Sequence, residues 1–389
     1  MKILTIGGTG VLSAAVVNCC ISHGMNVTIV HRGNKKQFVN PQASEILCDI
    51  SDEKQIAEKF KGLQFDVVID FLVVNPFQLR RSLSLFGVLT RKYVFISTAQ
   101  VYNTSKSKIF SENDETPQPL WQYSINKAEC ERLLEEYCVS HDLAYTIIRP
   151  GVTYDNRRIP YGIVPPYGKH WTIIARIQAG KPIITWNNGE NRLNLTRVED
   201  FAEGVVALLG NKKAYNEAFN IVGDYVYSWK EVLQTIGKIL DCSVKTKDFP
   251  VEKFANVLSP DNRERLLGGR ANDLICSNEK LKSVVPYFHS TLSLEEGLRR
   301  TIGAYQANNY YDGVDYKWDA EQDRILEKLS TNGYKGKYVS YLQHNFLDNF
   351  QNLCEWKIEY YADNKQMKFC WKIIRKFIYS PLRRLLSIV

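Results

Sequence analysis

The chain has 389 residues, 44% hydrophobic and 24% charged, a composition typical of a globular protein with room for two domains. Its net charge of +8 is too small for this length to indicate nucleic-acid binding by itself, and the sequence shows neither an apolar run of about 18 residues that could span a membrane nor a signal peptide. The nine cysteines lack C-x-x-C and zinc-ligand spacings, which favours reduced thiols in the cytoplasm over disulfides or a metal site.

A strand, a glycine-rich turn and a helix are predicted at the start of the chain. Residues 3–6 form an apolar run (ILTI) that is typical of a buried strand. Gly7, Gly8 and Gly10 follow at once, and apolar residues at helical spacing begin at Val11 and Leu12. Glycines let the backbone approach a pyrophosphate, and a helix N-terminus offers free N–H groups. The strand–helix junction therefore favours a dinucleotide cradle over an ordinary glycine-rich turn.

The second strand, at residues 26–30, ends where the adenosine ribose of a dinucleotide would lie. NAD-selective sites usually carry an acidic residue there, whereas an arginine suits the 2′-phosphate of NADP. His31 and Arg32 follow this strand, with Lys35 and Lys36 close behind and no carboxylate among them. The pattern favours NADP over NAD, and the alternative is a solvated basic loop.

Three further strands and two helices continue the alternation. The strands are predicted at residues 45–47, 66–71 and 92–96, and amphipathic helical segments at 53–60 and 76–89. Strands that alternate with helices indicate a doubly wound parallel sheet.

Hydroxyl and phenol groups follow the strand at residues 92–96. Ser97 and Thr98 come directly after it, and ligands of open α/β sheets bind outside the carboxyl ends of the strands. Tyr123 and Lys127 lie four residues apart in a helical stretch, which puts them on one face. An ammonium beside a phenol favours the phenolate, so such a tyrosine can act as an acid or base. This spacing alone is common on solvated helices, but behind a glycine turn and a hydroxyl-bearing strand end it indicates a catalytic pair.

Seven motifs follow one another along about the first 300 residues. They are GGTGVLS at 7–13, DVVIDF at 66–71, FISTAQVY at 95–102, YSINK at 123–127, IIRPGVTY at 147–154, RVEDFA at 197–202 and FNIVG at 219–223. In this order and spacing the chain resembles the extended short-chain dehydrogenases/reductases, and among them the NAD-dependent epimerase/dehydratase family, which acts largely on nucleotide sugars.

The resemblance implies a role for each matching residue. Tyr123 resembles the family's catalytic acid/base, and Lys127 the residue that binds the nicotinamide ribose and tunes the tyrosine. Thr98 aligns with the catalytic Ser/Thr, while Ser97 is the other candidate for that role and a substrate contact. The cofactor contacts that the resemblance implies are Gly7, Gly10, Val11, Leu12, Arg32, Asp49, Ile50, Lys127 and Pro150.

Three sites depart from the family pattern. Ser13 replaces the third glycine of the turn, which is expected to loosen the packing of helix on strand slightly. Ala99 and Gln100 stand where sugar dehydratases place an Asp-Glu or Glu-Lys pair, so 4,6-dehydration is not expected. Asp155 replaces a common glycine, which makes the substrate-side loop atypical.

The resemblance implies an α/β fold with a Rossmann-type doubly wound parallel sheet, a smaller mixed α/β substrate domain and a mainly helical C-terminal extension. Residues 1–154, to which 197–222 return, are expected to form the NAD(P)-binding domain, 155–196 and 223–304 the substrate-binding region, and 305–389 the extension. Arg192, Arg197 and Arg270 are candidates to bind a nucleotide pyrophosphate, because a planar guanidinium matches phosphate oxygens bidentately. Each alone is more often a surface arginine.

The segment 364–389 contains no Asp or Glu. A predicted helix carries Lys365, Lys368, Lys372, Arg375 and Lys376 on one side and Trp371, Ile373, Ile374, Phe377 and Ile378 on the other, before Ser380 and Pro381 end it. A basic amphipathic helix with aromatic residues is typical of membrane-surface binding, and we expect Trp371, Ile374 and Phe377 to enter the lipid. The alternative is a terminal helix docked on the protein.

Together these features predict an NAD(P)-dependent epimerase or reductase of a nucleotide-activated sugar, in the synthesis of a surface polysaccharide or glycoconjugate. The expected location is the cytoplasm or the inner membrane surface, and a homodimer is compatible with the resemblance. Nucleic acid is not an expected partner, although one type of relative binds RNA. The alternative is a non-catalytic dinucleotide-binding scaffold, associated with membrane or RNA, that works through the basic tail.

Overall fold

The computed structural model describes residues 1–35, 38–105, 109–343 and 345–379. Lys36, Ser380 and Pro381, which entered the predictions above, lie outside these residues. The chain divides into two compact units: unit 1 comprises Met1–Asp155, Asn191–Tyr227 and Leu267–Ser293, and unit 2 comprises Asn156–Glu190, Ser228–Leu266 and the chain from Leu294 onward. Within the described residues no helix combines the length and the apolar character needed to cross a membrane.

The described strands are β1 (Lys2–Ile6), β2 (Asn26–His31), β3 (Ser44–Leu47), β4 (Val67–Asp70), β5 (Lys92–Ile96), β6 (Ile109–Phe110), β7 (Ala144–Pro150), β8 (Val152–Tyr154), β9 (Ile183–Thr185), β10 (Arg192–Arg197), β11 (Glu217–Ile221), β12 (Val226–Ser228), β13 (Thr246–Asp248) and β14 (Ile275–Cys276). The described α-helices are α1 (Val11–Ser22), α2 (Glu53–Lys59), α3 (Pro76–Phe86), α4 (Gln122–Ser140), α5 (Trp171–Gln178), α6 (Val198–Leu209), α7 (Trp229–Leu240), α8 (Val251–Ala255), α9 (Pro260–Arg265), α10 (Glu279–Val284), α11 (Leu294–Ala307), α12 (Tyr316–Leu329), α13 (Phe346–Tyr360) and α14 (Lys365–Ile374).

A parallel sheet of seven strands in the order β11-β7-β5-β4-β1-β2-β3 forms the centre of unit 1. The chain runs outward from β1 to β3 on one side and resumes at β4 on the other, so the direction of winding reverses between β1 and β4. This arrangement confirms the predicted doubly wound sheet. The carboxyl ends of β1 and β4 mark the point at which such sheets bind ligands.

Helices cover both faces of the large sheet, which explains why its central strands β1, β4 and β5 are mainly apolar and buried. Ile3 belongs to a core cluster with residues of α1 and α6, whereas its neighbour Leu4 belongs to a second cluster with residues of α2, α3 and α4. Successive side chains of a strand point to opposite faces, so β1 contributes to both cores. The glycine turn and the end of β5 are thereby fixed to a rigid layer.

Residues 267–293 belong to unit 1, although the sequence pattern assigns them to the substrate-binding region. β14 in this segment pairs with β6, and the N–H of Leu274 donates to the carbonyl of Arg192 at the start of β10. These contacts join segments far apart in the chain and leave no local sequence signal. A smaller sheet has the strand order β12-β10-β8, and its central strand β10 contacts β14.

Unit 2 is mainly helical and contains the parallel pair β9 and β13. α5 contacts α7 and α12, α7 contacts α11, and α13 packs on α12. α14 packs on α13 and continues into a wider helical turn at Arg375–Tyr379. The C-terminal extension is therefore helical, as predicted.

Candidate active site

The glycine turn after β1 has no room for side chains. Gly7 and Gly8 adopt φ values of +102° and +119°, which L side chains rarely adopt. A Cβ atom on Gly8 would lie 2.9 Å from Cγ2 of Ile29. A turn that only glycine can fill, placed where the winding of the sheet reverses, suits the close approach of a pyrophosphate.

Ser13 caps the start of α1. The N–H of Gly10 donates to Ser13 Oγ over 2.9 Å, and the Ser13 side chain is buried. The hydroxyl thus accepts a hydrogen bond from the N–H group directly before α1. Val11 and Leu12, the first two residues of α1, are half-buried. The residue in the third glycine position has a local structural role that the sequence pattern did not reveal.

Carboxylates reach the end of β2 from the neighbouring strand β3. Nε2 of His31 lies 2.8 Å from Oε2 of Glu45. Asp49 follows β3, and hydrogen bonds from Ser51 together with the charge of the exposed Arg32 lower the pKa of its carboxyl group. The sequence segment after β2 has no acid of its own, but strand pairing brings two acids to this edge.

β5 ends in two buried hydroxyl groups. The N–H of Ser97 donates to the carbonyl of Ile148 on β7 over 2.7 Å, and Ser97 Oγ is buried without a hydrogen-bond partner among the described residues. Thr98 Oγ1 accepts the N–H of Gln100 over 3.2 Å. Because an unpaired buried hydroxyl is costly, Ser97 Oγ suits a contact to a bound cofactor or substrate.

Two side-chain hydrogen bonds tie the start of α4 to the end of β5. Ser124 Oγ donates to the carbonyl of Gln100, and Lys127 Nζ donates to the carbonyl of Ile96, each over 2.7 Å. Tyr123 lies in the same first turn of α4, so these bonds hold it beside the segment that carries Thr98. The two segments that carry the predicted catalytic residues are therefore held against each other.

Lys127 is buried next to the phenol ring of Tyr123. Its Nζ lies 5.9 Å from the centre of that ring and also donates to the carbonyl of Val73 over 2.6 Å. Burial lowers the pKa of Lys127 to about 8, although nearby groups such as Cys130 and Asp70 act in the opposite direction. The ammonium form thus predominates at neutral pH, and its proton is lost more easily than that of an ordinary lysine.

Gly268 and Gly269 form a wall that sequence analysis missed. A Cβ atom on Gly268 would lie 2.6 Å from Cβ of Trp121, and one on Gly269 would lie 2.4 Å from Oε1 of Gln100. The ring of Trp121 is in turn 5.1 Å from that of Tyr123. The Gly-Gly pair before Arg270 was the available signal, since glycine permits such close approach. Arg270 is half-buried at the end of this wall.

The two arginines of β10 differ in environment. Arg192 is exposed at its start, whereas Arg197 at its end is buried. The guanidinium of Arg197 pairs with Glu199 through two hydrogen bonds of 2.9 and 2.8 Å, and lies 5.1 Å from the ring of Tyr154. Arg197 is thus held within the protein, and pyrophosphate binding by any of the three candidate arginines stays a prediction.

Most of the predicted cofactor contacts share one edge of the large sheet. The carboxyl ends of its strands carry Gly7 (after β1), Arg32 (after β2), Asp49 and Ile50 (after β3) and Pro150 (at the end of β7), together with the predicted catalytic Thr98 (after β5). Because the strands are parallel, these ends lie on the same side of the sheet. The edge can hold a dinucleotide along the strand ends, and the helix that carries Tyr123 and Lys127 is bonded to the end of β5.

A model of the NAD-dependent epimerase/dehydratase family matches residues 3–222. Among curated proteins, the UDP-N-acetyl-alpha-D-glucosaminuronate decarboxylase of Bacillus cytotoxicus is 26% identical over 77% of this chain and 96% of its own length. The chloroplast stem-loop binding protein of 41 kDa b from Arabidopsis thaliana is 29% identical over 84% of each chain. Among solved structures, UDP-glucuronic acid 4-epimerase of Bacillus cereus, in complex with UDP-glucuronic acid and NAD, has a TM-score of 0.63 at 21% identity and covers 79% of this chain and 99% of that one.

Proposed function

Because the chain belongs to the NAD-dependent epimerase/dehydratase family, we propose that it is an NAD(P)-dependent epimerase or reductase of a nucleotide-activated sugar. The observation that carries this proposal is the anchoring of α4 to the end of β5. The bonds from Ser124 to the carbonyl of Gln100 and from Lys127 to that of Ile96 hold the start of α4, which carries Tyr123, against the segment of Ile96 to Gln100, which carries Thr98. Such an arrangement suits proton transfer at a sugar hydroxyl or carbonyl.

Tyr123 is proposed to exchange the proton of the reacting sugar oxygen. The Lys127 ammonium, 5.9 Å from the tyrosine ring, stabilises negative charge on the phenol oxygen, so the tyrosine can accept the proton and later return it. Thr98, with Ser97 beside it, hydrogen-bonds and orients the same sugar oxygen. NAD(P), when bound along the glycine turn and the strand ends, supplies the hydride acceptor and donor.

Gln100 argues against elimination of water. A dehydratase needs a second acid and base next to the catalytic threonine, and the side chains at those positions are a methyl group in Ala99 and a neutral amide in Gln100. Neither can donate or accept a proton near neutral pH. We therefore do not expect 4,6-dehydratase activity.

The nucleotide part of the substrate is assigned to the arginines. Arg192 and Arg270 are the more accessible pair, and Arg197 is the third candidate. A guanidinium offers a pyrophosphate two parallel hydrogen bonds. Since nucleotide-activated sugars are the substrates of glycan assembly, we place the reaction in the synthesis of a surface polysaccharide or glycoconjugate, with peripheral membrane association through the C-terminal helix.

The cofactor is proposed to be NADP in preference to NAD. The support is Arg32 at the end of β2, whose cation suits a 2′-phosphate. Glu45 on the neighbouring strand β3 and Asp49 after it are the opposing feature, because a carboxylate suits the free ribose hydroxyls. Titration of both dinucleotides into wild type, Arg32→Ser and the control Arg80→Ser tests the assignment: Arg32→Ser should weaken NADP alone, and a lower Kd for NAD in the wild type would overturn it.

A panel of UDP-, GDP- and dTDP-sugars tests the reaction class. Net oxidation of the nicotinamide, read by absorbance, would identify a reductase, whereas an isomerised sugar without net oxidation would identify an epimerase. Dehydrated products would contradict the proposal.

The second candidate function is a non-catalytic dinucleotide-binding scaffold. It is favoured by the relative named as a stem-loop binding protein, which matches 84% of this chain. The scaffold predicts dinucleotide binding with no turnover of any sugar in the panel, together with binding of structured RNA.

A further inference from the structure

The inner side of α14 packs on α13. Trp371 and Ile374 are half-buried, and Arg375 lies 3.5 Å from Glu355 of α13 in an ion pair. Lys357 of α13 places its Nζ 5.8 Å from the ring of Trp371. Trp371 and Ile374 were expected to enter lipid, but both are half-buried, and Trp371 contributes to the contact between the two helices. Arg375 is likewise occupied by the protein.

The outer side of α14 and the turn that follows it carry exposed apolar side chains. Phe369, Ile373 and Phe377, here called the outer stripe, are 63%, 40% and 63% exposed. They are spaced four residues apart, so they lie along one side of the helix. Two exposed phenylalanines in one short stripe are unusual for a surface that remains in water.

Basic side chains flank the outer stripe. Lys365, Lys372 and Lys376 are exposed, and Nζ of Lys376 lies 5.3 Å from the ring of Phe377. No acidic residue occurs from residue 364 to the end of the sequence. Aromatic residues bordered by lysines, in a segment that itself contains no acid, match the hydrocarbon boundary and the negative headgroups of an anionic membrane.

We propose that the outer stripe and its three lysines bind the surface of an anionic lipid bilayer, a specific form of the membrane association in the proposed function. The lysines sit where headgroup phosphates would lie, and Phe369, Ile373 and Phe377 enter the acyl boundary. A second copy of the chain is a poorer occupant, because two identical stripes would bring their lysines together. A lipid surface satisfies both the charge and the apolar side chains.

Vesicle binding by the full chain tests the proposal. Phosphatidylglycerol-containing vesicles should bind the wild type and pure phosphatidylcholine vesicles should not. The triple variant Phe369→Ser, Ile373→Ser, Phe377→Ser should lower the partition coefficient about tenfold or more, since apolar insertion is lost. The triple variant Lys365→Gln, Lys372→Gln, Lys376→Gln should lower it about 100-fold at low salt. High salt should weaken the wild type but change the lysine variant little.

Matched controls remove equal exposed groups elsewhere. Val88→Ser, Val139→Ser and Tyr287→Ser replace three exposed apolar residues, and Lys61→Gln, Lys212→Gln and Lys213→Gln remove three exposed charges. Both controls should bind vesicles as the wild type does. Dinucleotide binding and sugar turnover in solution should be the same in the stripe variant and the wild type, so loss of turnover would bear on the proposed function and loss of vesicle binding on this proposal alone.

Several results would overturn the proposal. These are failure of the wild type to bind anionic vesicles, equal binding by the stripe variant, or dispersal of a dimer by that variant. Stripe-dependent binding to RNA without binding to vesicles would assign the surface to nucleic acid. Vesicle binding that appears only after truncation at Tyr379 would show that the full chain does not present the stripe to lipid.

Discussion

Gly8 is the residue at which the cradle depends most directly on glycine. Gly8→Ala would combine a φ of +119° with a Cβ only 2.9 Å from Ile29, so we expect it to lower the free energy of unfolding by about 3 kcal/mol. Gly24→Ala is the control, because Gly24 has a φ of +73° but no atom within 4 Å of the added Cβ. It should cost about 1 kcal/mol. Urea unfolding measures both, and equal losses would show that the contact with Ile29 is unimportant.

Lys127 should make the free energy of unfolding depend on pH in the alkaline range. Burial lowers its pKa from the ordinary 10.5 to about 8, so between these values the unfolded chain binds more protons than the folded one. Stability contributed by this group therefore rises with pH across that window. Lys127→Met should remove this rise, while Lys92, whose pKa burial lowers to about 7, contributes in both proteins.

The measurement is urea unfolding of wild type and Lys127→Met at about pH 8 and about pH 10. Buried cysteines and tyrosines titrate with the opposite sign, but they are common to both proteins and cancel in the difference. Between the two pH values, the free energy of unfolding of the variant should rise less, or fall more, than that of the wild type. An identical change in both proteins would contradict a buried lysine with a lowered pKa.

Local spacing explains which site residues the sequence could reveal. Tyr123 and Lys127 were predicted from a helical interval, and their relative position follows from one turn of α4. The contact of Gly268 and Gly269 with Trp121 and Gln100 joins residues far apart in the chain, so no local sequence pattern predicts it. The same holds for Glu45, which reaches His31 only because β2 and β3 pair.

At the scale of elements, β1 to β5 were predicted from local sequence, whereas the seven-residue β7 was matched only through the motif at 147–154 and the two-residue strands were not predicted. β4 and β5 are fully buried and mainly apolar because helices cover both faces of the sheet. β6 and β14 have two residues each and exist only through their pairing with one another. This is why the position of residues 267–293 in unit 1 could not be read from composition.

A buried charge cluster joins α12 to α5 within unit 2. Asp319 and Asp323 are fully buried, and each forms ion pairs with both Arg176 and Lys181 at N···O distances of 2.5 to 2.9 Å. Trp356 of α13 also donates to Asp319 over 2.8 Å. Buried ion pairs thus connect α12, in the C-terminal extension, to Arg176 and Lys181 within unit 2.

Asp319→Ala should destabilise the protein by about 3–5 kcal/mol, because it leaves buried cations without a partner. Glu190→Ala is the control: its exposed pair with Lys230 has a similar length of 2.7 Å, and its loss should cost less than about 1 kcal/mol. Urea unfolding, followed by tryptophan fluorescence, compares them. A comparable loss in both variants would show that burial does not decide the contribution of these pairs.

At the scale of the whole molecule, the two proposed activities are assigned to different units. The residues proposed for catalysis and cofactor binding all lie in unit 1, and the outer stripe lies in unit 2. Variants of one can therefore be judged by an assay of the other. Membrane binding without turnover would favour the scaffold, and turnover without membrane binding would leave the enzyme assignment intact.

The most direct test of the account is turnover by Tyr123→Phe on the nucleotide sugar that the wild type converts best. Removal of the phenol oxygen should lower kcat by about 100- to 10,000-fold, because proton transfer loses its acid and base. Thermal stability and the Kd for the dinucleotide should match those of the wild type and of the control Tyr287→Phe, an exposed tyrosine. Wild-type turnover by Tyr123→Phe, or no turnover of any nucleotide sugar by the wild type, would contradict the account.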